Sequence, residues 1–197
     1  MKFIYTFTMF VFSCCNNLFA QQFSLQTFNA KQEKISKNGI KVLGSFAGAN
    51  IIYGSIAANQ TNGKTKYFHE MNAIWNSVTL GIVGLGILTS KKGELTSFNS
   101  TLTKQQQIEK LFLFNIGLDA AYIAGGAYIK ERSFNSKKNA LKLKGYGESI
   151  MLQGGALLLF DGVMYYLQHK HGKKLQAATE KLQFTTTSHG IGLLVRL

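Results

Sequence analysis

Apolar and polar positions in this chain come in long blocks. A polar segment at 21–38, with the spaced bases Lys31, Lys34 and Lys37, is followed by four apolar stretches near 40–58, 71–89, 111–129 and 149–167. Each stretch is about nineteen residues long with at most one formal charge inside, the length a helix needs to cross a bilayer. Gly, Ala, Ser and Asn dilute the Leu and Ile, so the hydropathy of each stretch is modest for a spanning helix. Buried helices of a soluble bundle would show charged faces at helical spacing. Here the charges collect between the stretches, at Lys64 and Lys66, at Lys91 and Lys92, and at Lys130, Arg132, Lys137, Lys138, Lys142 and Lys144. The pattern predicts an all-α membrane protein, with four transmembrane helices over 39–168 paired as two helical hairpins.

The ends of the chain read differently. Lys2, the apolar run Phe3 to Phe12, a polar break and Ala20 before Gln21 have the order of a cleavable signal peptide over 1–20. Cleavage there would remove Cys14 and Cys15, the two cysteines of the chain, and with them any thiolate chemistry. Residues 169–197 form a basic tail, and from Phe184 to Leu197 the pattern alternates like a short strand. A cleaved signal puts the mature N-terminus outside, in a bacterial membrane expected to be the inner one. The loops at 59–67 and 130–144 then face the cytoplasm. The raw distribution of Lys and Arg does not favour this orientation, although the 130–144 loop is short and densely basic.

Composition narrows the functions further. Apolar residues make up 46 % and charged residues 16 % of the 197 positions, which excludes a disordered chain. Proline is absent, leaving the helices without proline kinks. The net charge is +13, yet the basic segment Lys130–Lys144 contains one aromatic residue, Phe134, where nucleic-acid binding calls for stacking aromatics among the bases. Anionic lipid headgroups beside Lys130 to Lys144 account for that charge more simply, and nucleic acid is not an expected partner.

Motifs that would carry catalysis are incomplete. His69 and Glu70 start like a zinc-protease helix, but position 73 is Ala, so the second ligand is missing. Gly84 and Gly86 lack the third glycine of a dinucleotide fingerprint, and no phosphate-binding loop is present. His169 and His171 diverge on a helix, among bases that repel a cation. No catalytic residue, metal ligand or cofactor site is therefore assigned. Asn59 to Thr61 and Asn99 to Thr101 match the glycosylation pattern, which is frequent by chance.

The polar residues inside the stretches say more. Asn72, Asn76 and Thr79 share a face of the second helix, with Trp75 beside them. Asn115, Asp119, Tyr122 and Gly126 share a face of the third, and Asp161 and Tyr165 are one turn apart on the fourth. An ionisable group inside a bilayer costs a few kcal/mol or more on insertion scales, and neither Asp119 nor Asp161 has a Lys or Arg inside its stretch. Together with Asn50 and Tyr53 of the first stretch, these residues form a candidate intramembrane polar cluster. It serves either as a hydrogen-bonded packing device or as a proton or ion pathway. Asp119, between Asn115 and Tyr122, is expected to turn inward.

Small-residue spacing marks expected helix contacts: Gly44 with Gly48, and Gly117, Ala121 and Gly125. The run Gly48, Asn50, Tyr53 parallels Gly117, Asp119, Tyr122, which reads as a tandem duplication of one hairpin. The signal ending at Ala20, the motif Phe68, His69, Glu70, Met71, Asn72, Trp75, Asn76, the apolar hairpins and the strand-like terminus resemble small uncharacterised membrane proteins of bacterial envelopes, grouped as a domain of unknown function. That resemblance implies no activity. The expected role is structural or interactive in the cell envelope, with self-association as one route. The alternative is a small channel or proton-linked transporter using Asp119 and Asp161.

Overall fold

The computed structural model describes residues 24–89, 97–180, 182–187 and 190–195. The expected signal peptide at 1–20 lies outside these residues. Helix α1 spans Leu25–Gln60, α2 Gly63–Thr89, α3 Phe98–Arg132 and α4 Ala140–Glu180. A 3-10 turn at Ser133–Asn135 follows α3. Strands β1, Leu182–Thr187, and β2, Gly190–Val195, pair antiparallel, with Phe184 opposite Leu193. Four of these helices are long and apolar enough to cross a membrane.

Local chemistry sets the helix ends. Ser24 caps α1 by accepting from the Thr27 N–H at 3.3 Å, and Ser97 caps α3 by accepting from the Ser100 N–H at 3.2 Å. Thr61 and Asn62 alone connect α1 to α2, and Gly63 completes the reversal at φ 59°, a left-handed conformation that glycine adopts without steric cost.

Helix α1 packs against α2 and α3 against α4, each pair antiparallel, and α2 joins the pairs through α4. Gly54 meets Ala73 and Gly44 meets Val83 across the first pair. Gly126 meets Gly147 and Gln105 meets Gln168 across the second. Helices α2 and α4 run parallel, since Lys64 reaches Glu148 and Asn72 reaches Gln153.

The distribution of side chains is inverted relative to a soluble bundle. Val42, Ile52, Ile82, Leu88, Phe114 and Leu159 are each more than 60 % exposed, whereas Asn72, Asn76, Ser149, Gln153, Asp119 and Asp161 are buried. Large apolar side chains facing outward along all four helices are what a hydrocarbon solvent requires, and the polar side chains gather inside.

The helices are also longer than a bilayer's hydrocarbon core is thick. At 1.5 Å per residue they are about 40 to 60 Å long, against a hydrocarbon core of about 30 Å. Three of them extend at one end, through 25–39 of α1, 98–110 of α3 and 168–180 of α4. The polar segment at 21–38 is thus helical from Leu25 onward, and the basic tail from 169 continues α4 as far as Glu180 before the hairpin. Capping and packing, rather than apolar content, decide where these helices stop.

One packing expectation is corrected. A Cβ added at Gly48, Gly117 or Gly125 would meet nothing within 4 Å, and at Gly44 only ordinary contact with Val83. These glycines are not where the helices of this chain approach one another most closely. Close approach falls at Gly126 and Gly147, where a Cβ would sit 2.8 Å and 2.6 Å from the other's carbonyl oxygen. Spacing marks small residues but does not say which of two faces meets the neighbouring helix.

Candidate functional site

Two polar groups lie at mid-bundle and a third lies in the extension. The first joins three helices. Asn72 of α2 donates to Asn50 Oδ1 of α1 at 3.1 Å, and Asn76 donates to the Asn72 carbonyl at 2.8 Å. Gln153 of α4 donates to Asn72 Oδ1. Asn72 is thereby a hub, with donors arriving on its oxygens and its own amide engaged. Gln153 went unrecognised in the sequence, where it is a lone amide in an apolar run.

The second group lies between α3 and α4. The Asp119 and Asp161 side chains meet between the two helices, and the Asn115 side chain reaches Asp161. Asp119 is only 2 % exposed, so it faces α4 and not the surroundings. Beside the pair, Trp75 of α2 meets Tyr122 of α3 edge-to-face at 4.8 Å. This contact spans two helices whose backbones do not otherwise pack.

Tyr53 and Tyr165 stand apart from both groups. Tyr53 is 63 % exposed and sets its ring edge-on against His69 at 5.4 Å. Tyr165 stacks on His169 at 5.6 Å, at the start of the extension. Of the ten cluster residues, Asn50, Asn72 and Asn76 therefore meet in one network and Asn115, Asp119 and Asp161 in another. Trp75 and Tyr122 lie between helices, and the remaining two point elsewhere.

The third group is a layer of buried glutamines. Gln32 of α1 donates to Gln105 Oε1 of α3 at 2.6 Å, and Gln105 donates to the Gln168 carbonyl and to Glu109, both at 2.7 Å. Gln168 donates to Ser36 at 3.0 Å, and Glu109 meets His169 at 3.0 Å. All three glutamines are at most 2 % exposed. Below them His171 stacks on Phe28, centroids 4.1 Å apart, with Nε2 3.0 Å from the Phe28 carbonyl. His171 lies beyond the apolar stretch at 149–167. Burial pushes its pKa down, the Phe28 carbonyl partly opposes this, and Lys31 and Lys174 add to the depression. Nothing in the sequence flagged these glutamines, because they lie in segments that read as polar linker and tail.

Among the described residues no group of three His, Cys, Asp or Glu is arranged to hold a metal. A cavity of about 100 Å³ between α1 and α4 is lined by Val42, Leu43, Phe46, Ala156, Leu157 and Phe160, all apolar. It offers no polar group with which to orient a substrate.

The fold is a bundle of four helices, each long and apolar enough to cross a membrane, with polar layers buried inside it. The chain belongs to a family of unknown function, DUF6992, whose model matches residues 42–162. That match takes in the second and third apolar stretches, most of the first and fourth, and both mid-bundle polar groups, and leaves Gln32 and Gln168 beyond its limits. No curated protein and no solved structure matches the chain.

Proposed function

We propose that this protein is a non-enzymatic integral membrane protein of the bacterial inner membrane that acts by assembly and interaction. The observation that carries the reading is the three-helix extension. Helices α1, α3 and α4 continue about 20 Å past their apolar stretches and are tied to each other by Gln32, Gln105 and Gln168. A channel has no need of such a rigid post, whereas a protein that presents a surface does. With the signal removed and the N-terminus outside, the extension stands on the outer side and the two short connections lie in the cytoplasm.

Self-association through α3 fits the same reading. Gly117 and Gly125 leave open space on the face of α3 turned away from its own bundle, and small residues at that spacing let a second helix approach closely. Membrane fractionation of the full-length protein tests the placement. Retention in the bilayer after an alkaline wash is expected, and recovery in the soluble fraction would overturn it.

A second reading is favoured by one observation, the meeting of the buried Asp119 and Asp161 side chains between α3 and α4. If the pair relays protons, reconstituted vesicles will show pH-driven flux that Asp119→Asn abolishes. If the pair only packs helices, wild type and variant will be equally tight.

A further inference from the structure

At the end with the two short connections, ammonium groups from three helices converge on one carboxylate. Lys64 Nζ of α2 lies 2.8 Å from Glu148 Oε2, and Lys130 Nζ of α3 lies 3.7 Å from Glu148 Oε1. Lys144, one turn earlier on α4, acts on the same carboxylate. The convergence is built by glycine. A Cβ at Gly145 would lie 2.5 Å from the Lys64 carbonyl, and one at Gly147 would lie 2.6 Å from the Lys130 nitrogen. The two crossings draw α2 and α3 onto α4 where their lysines emerge.

Three ammoniums against one carboxylate leave a surplus of positive charge, and the Lys64 and Lys130 side chains remain about 40 % exposed. Glu148 holds the lysines in place without neutralising them. Toward the bundle centre the same surface becomes apolar. Leu152, Gly155 and Leu159 follow Glu148 along one stripe of α4. Leu152 and Leu159 are 55 % and 74 % exposed, and Gly155 opens onto empty space. Trp75 follows Lys64 three turns along α2, and its contact with Tyr122 bridges α2 and α3 at that depth.

We infer that Lys64, Lys130 and Lys144 bind the headgroup of an anionic phospholipid, with an acyl chain lying along the Leu152–Gly155–Leu159 stripe. The inference rests on the membrane placement proposed above. A phosphodiester with a neutral headgroup substituent offers acceptor oxygens and one negative charge to the surplus. A choline headgroup brings its own cation among the lysines and is disfavoured. Basic pockets between spanning helices on the cytoplasmic side bind anionic headgroups in this manner.

Trp75 is the one tryptophan of the chain, so it reports on this site directly. The full-length protein is reconstituted in vesicles in which a fixed fraction of either phosphatidylglycerol or phosphatidylcholine carries dibrominated chains, and quenching of Trp75 is measured. Dibrominated phosphatidylglycerol is expected to quench more strongly. Lys64→Gln and Lys130→Gln are each expected to lower that preference roughly five-fold, from the usual contribution of one lysine near an anionic surface. Lys64→Arg keeps it, as does the double variant Lys137→Gln/Lys138→Gln in the exposed connection. Unchanged quenching by dibrominated phosphatidylcholine shows that each variant is inserted. Lys144→Gln provides a second probe where Lys64→Gln fails that check. Equal quenching by the two lipids, or an equal loss from the 137/138 variant, would overturn the site while leaving the membrane placement intact. No quenching by either lipid would overturn the placement itself.

Discussion

Asp119 of α3 and Asp161 of α4 bring their side chains together at mid-bundle, where the Asn115 side chain also reaches Asp161. Among the described residues neither acid forms a salt bridge, so the polar groups that meet there carry the cost of burying the pair. Asp119→Asn preserves a donor and an acceptor and should leave stability nearly unchanged. Asp119→Leu strands Asp161, and should cost about 1–3 kcal/mol for that buried group. Unfolding in mixed micelles distinguishes the two variants, and equal stability would show that the pair is not a packing element.

Glycine substitutions should divide by face. Gly126→Val places a side chain against the Gly147 carbonyl and the Met151 nitrogen, where a Cβ alone would already sit 2.8 Å away. Backbone cannot yield as a side-chain tip can, so a loss at or above the usual 1–3 kcal/mol of overpacking, roughly, is expected. A Cβ at Gly117 meets nothing within 4 Å, so Gly117→Val should leave the melting temperature nearly unchanged. If α3 mediates self-association, the same variant will weaken cross-linking between copies.

The glutamine layer should behave as one unit. Gln105→Leu removes the acceptor of Gln32 and the donor to the Gln168 carbonyl, leaving buried groups unpaired at about 1–3 kcal/mol each. Hydrogen exchange should then rise across 25–39, 98–110 and 168–177 while 71–89 remains protected. A rise confined to α3 would show that the three helices are not coupled there.

The extension should also weaken in acid. The folded-state pKa of His171 is depressed, so the unfolded chain takes up a proton more readily. Stability is therefore fully present above the ordinary histidine value of about 6.5. It is lost as pH falls from there through the lowered folded value. His171→Phe should remove this dependence between pH 7 and pH 5, as followed by exchange of the α1 segment around Phe28. An unchanged profile would remove His171 as its source.

The four apolar stretches were legible because hydrocarbon-facing positions need only be apolar, and composition reports that directly. Helix ends were less so. Ser24 and Ser97 cap helices that begin well before the apolar stretches, in segments such as 25–39 that resemble a linker by polarity alone. The inward face of Asp119 could be read from Asn115 and Tyr122, one turn to either side. Gln153 could not, since one amide in an apolar run does not say which helix it will meet. The glutamine layer was hidden for a related reason: Gln32, Gln105 and Gln168 come from three separated segments, and only tertiary packing brings them together.

The length of α1, α3 and α4 gives this protein reach. In the membrane placement proposed above, the β1–β2 hairpin, which begins two residues after Glu180, follows the far end of the three-helix extension. Its stand-off from the bilayer is fixed by helix length, at about 5.4 Å for every turn added to or removed from all three helices.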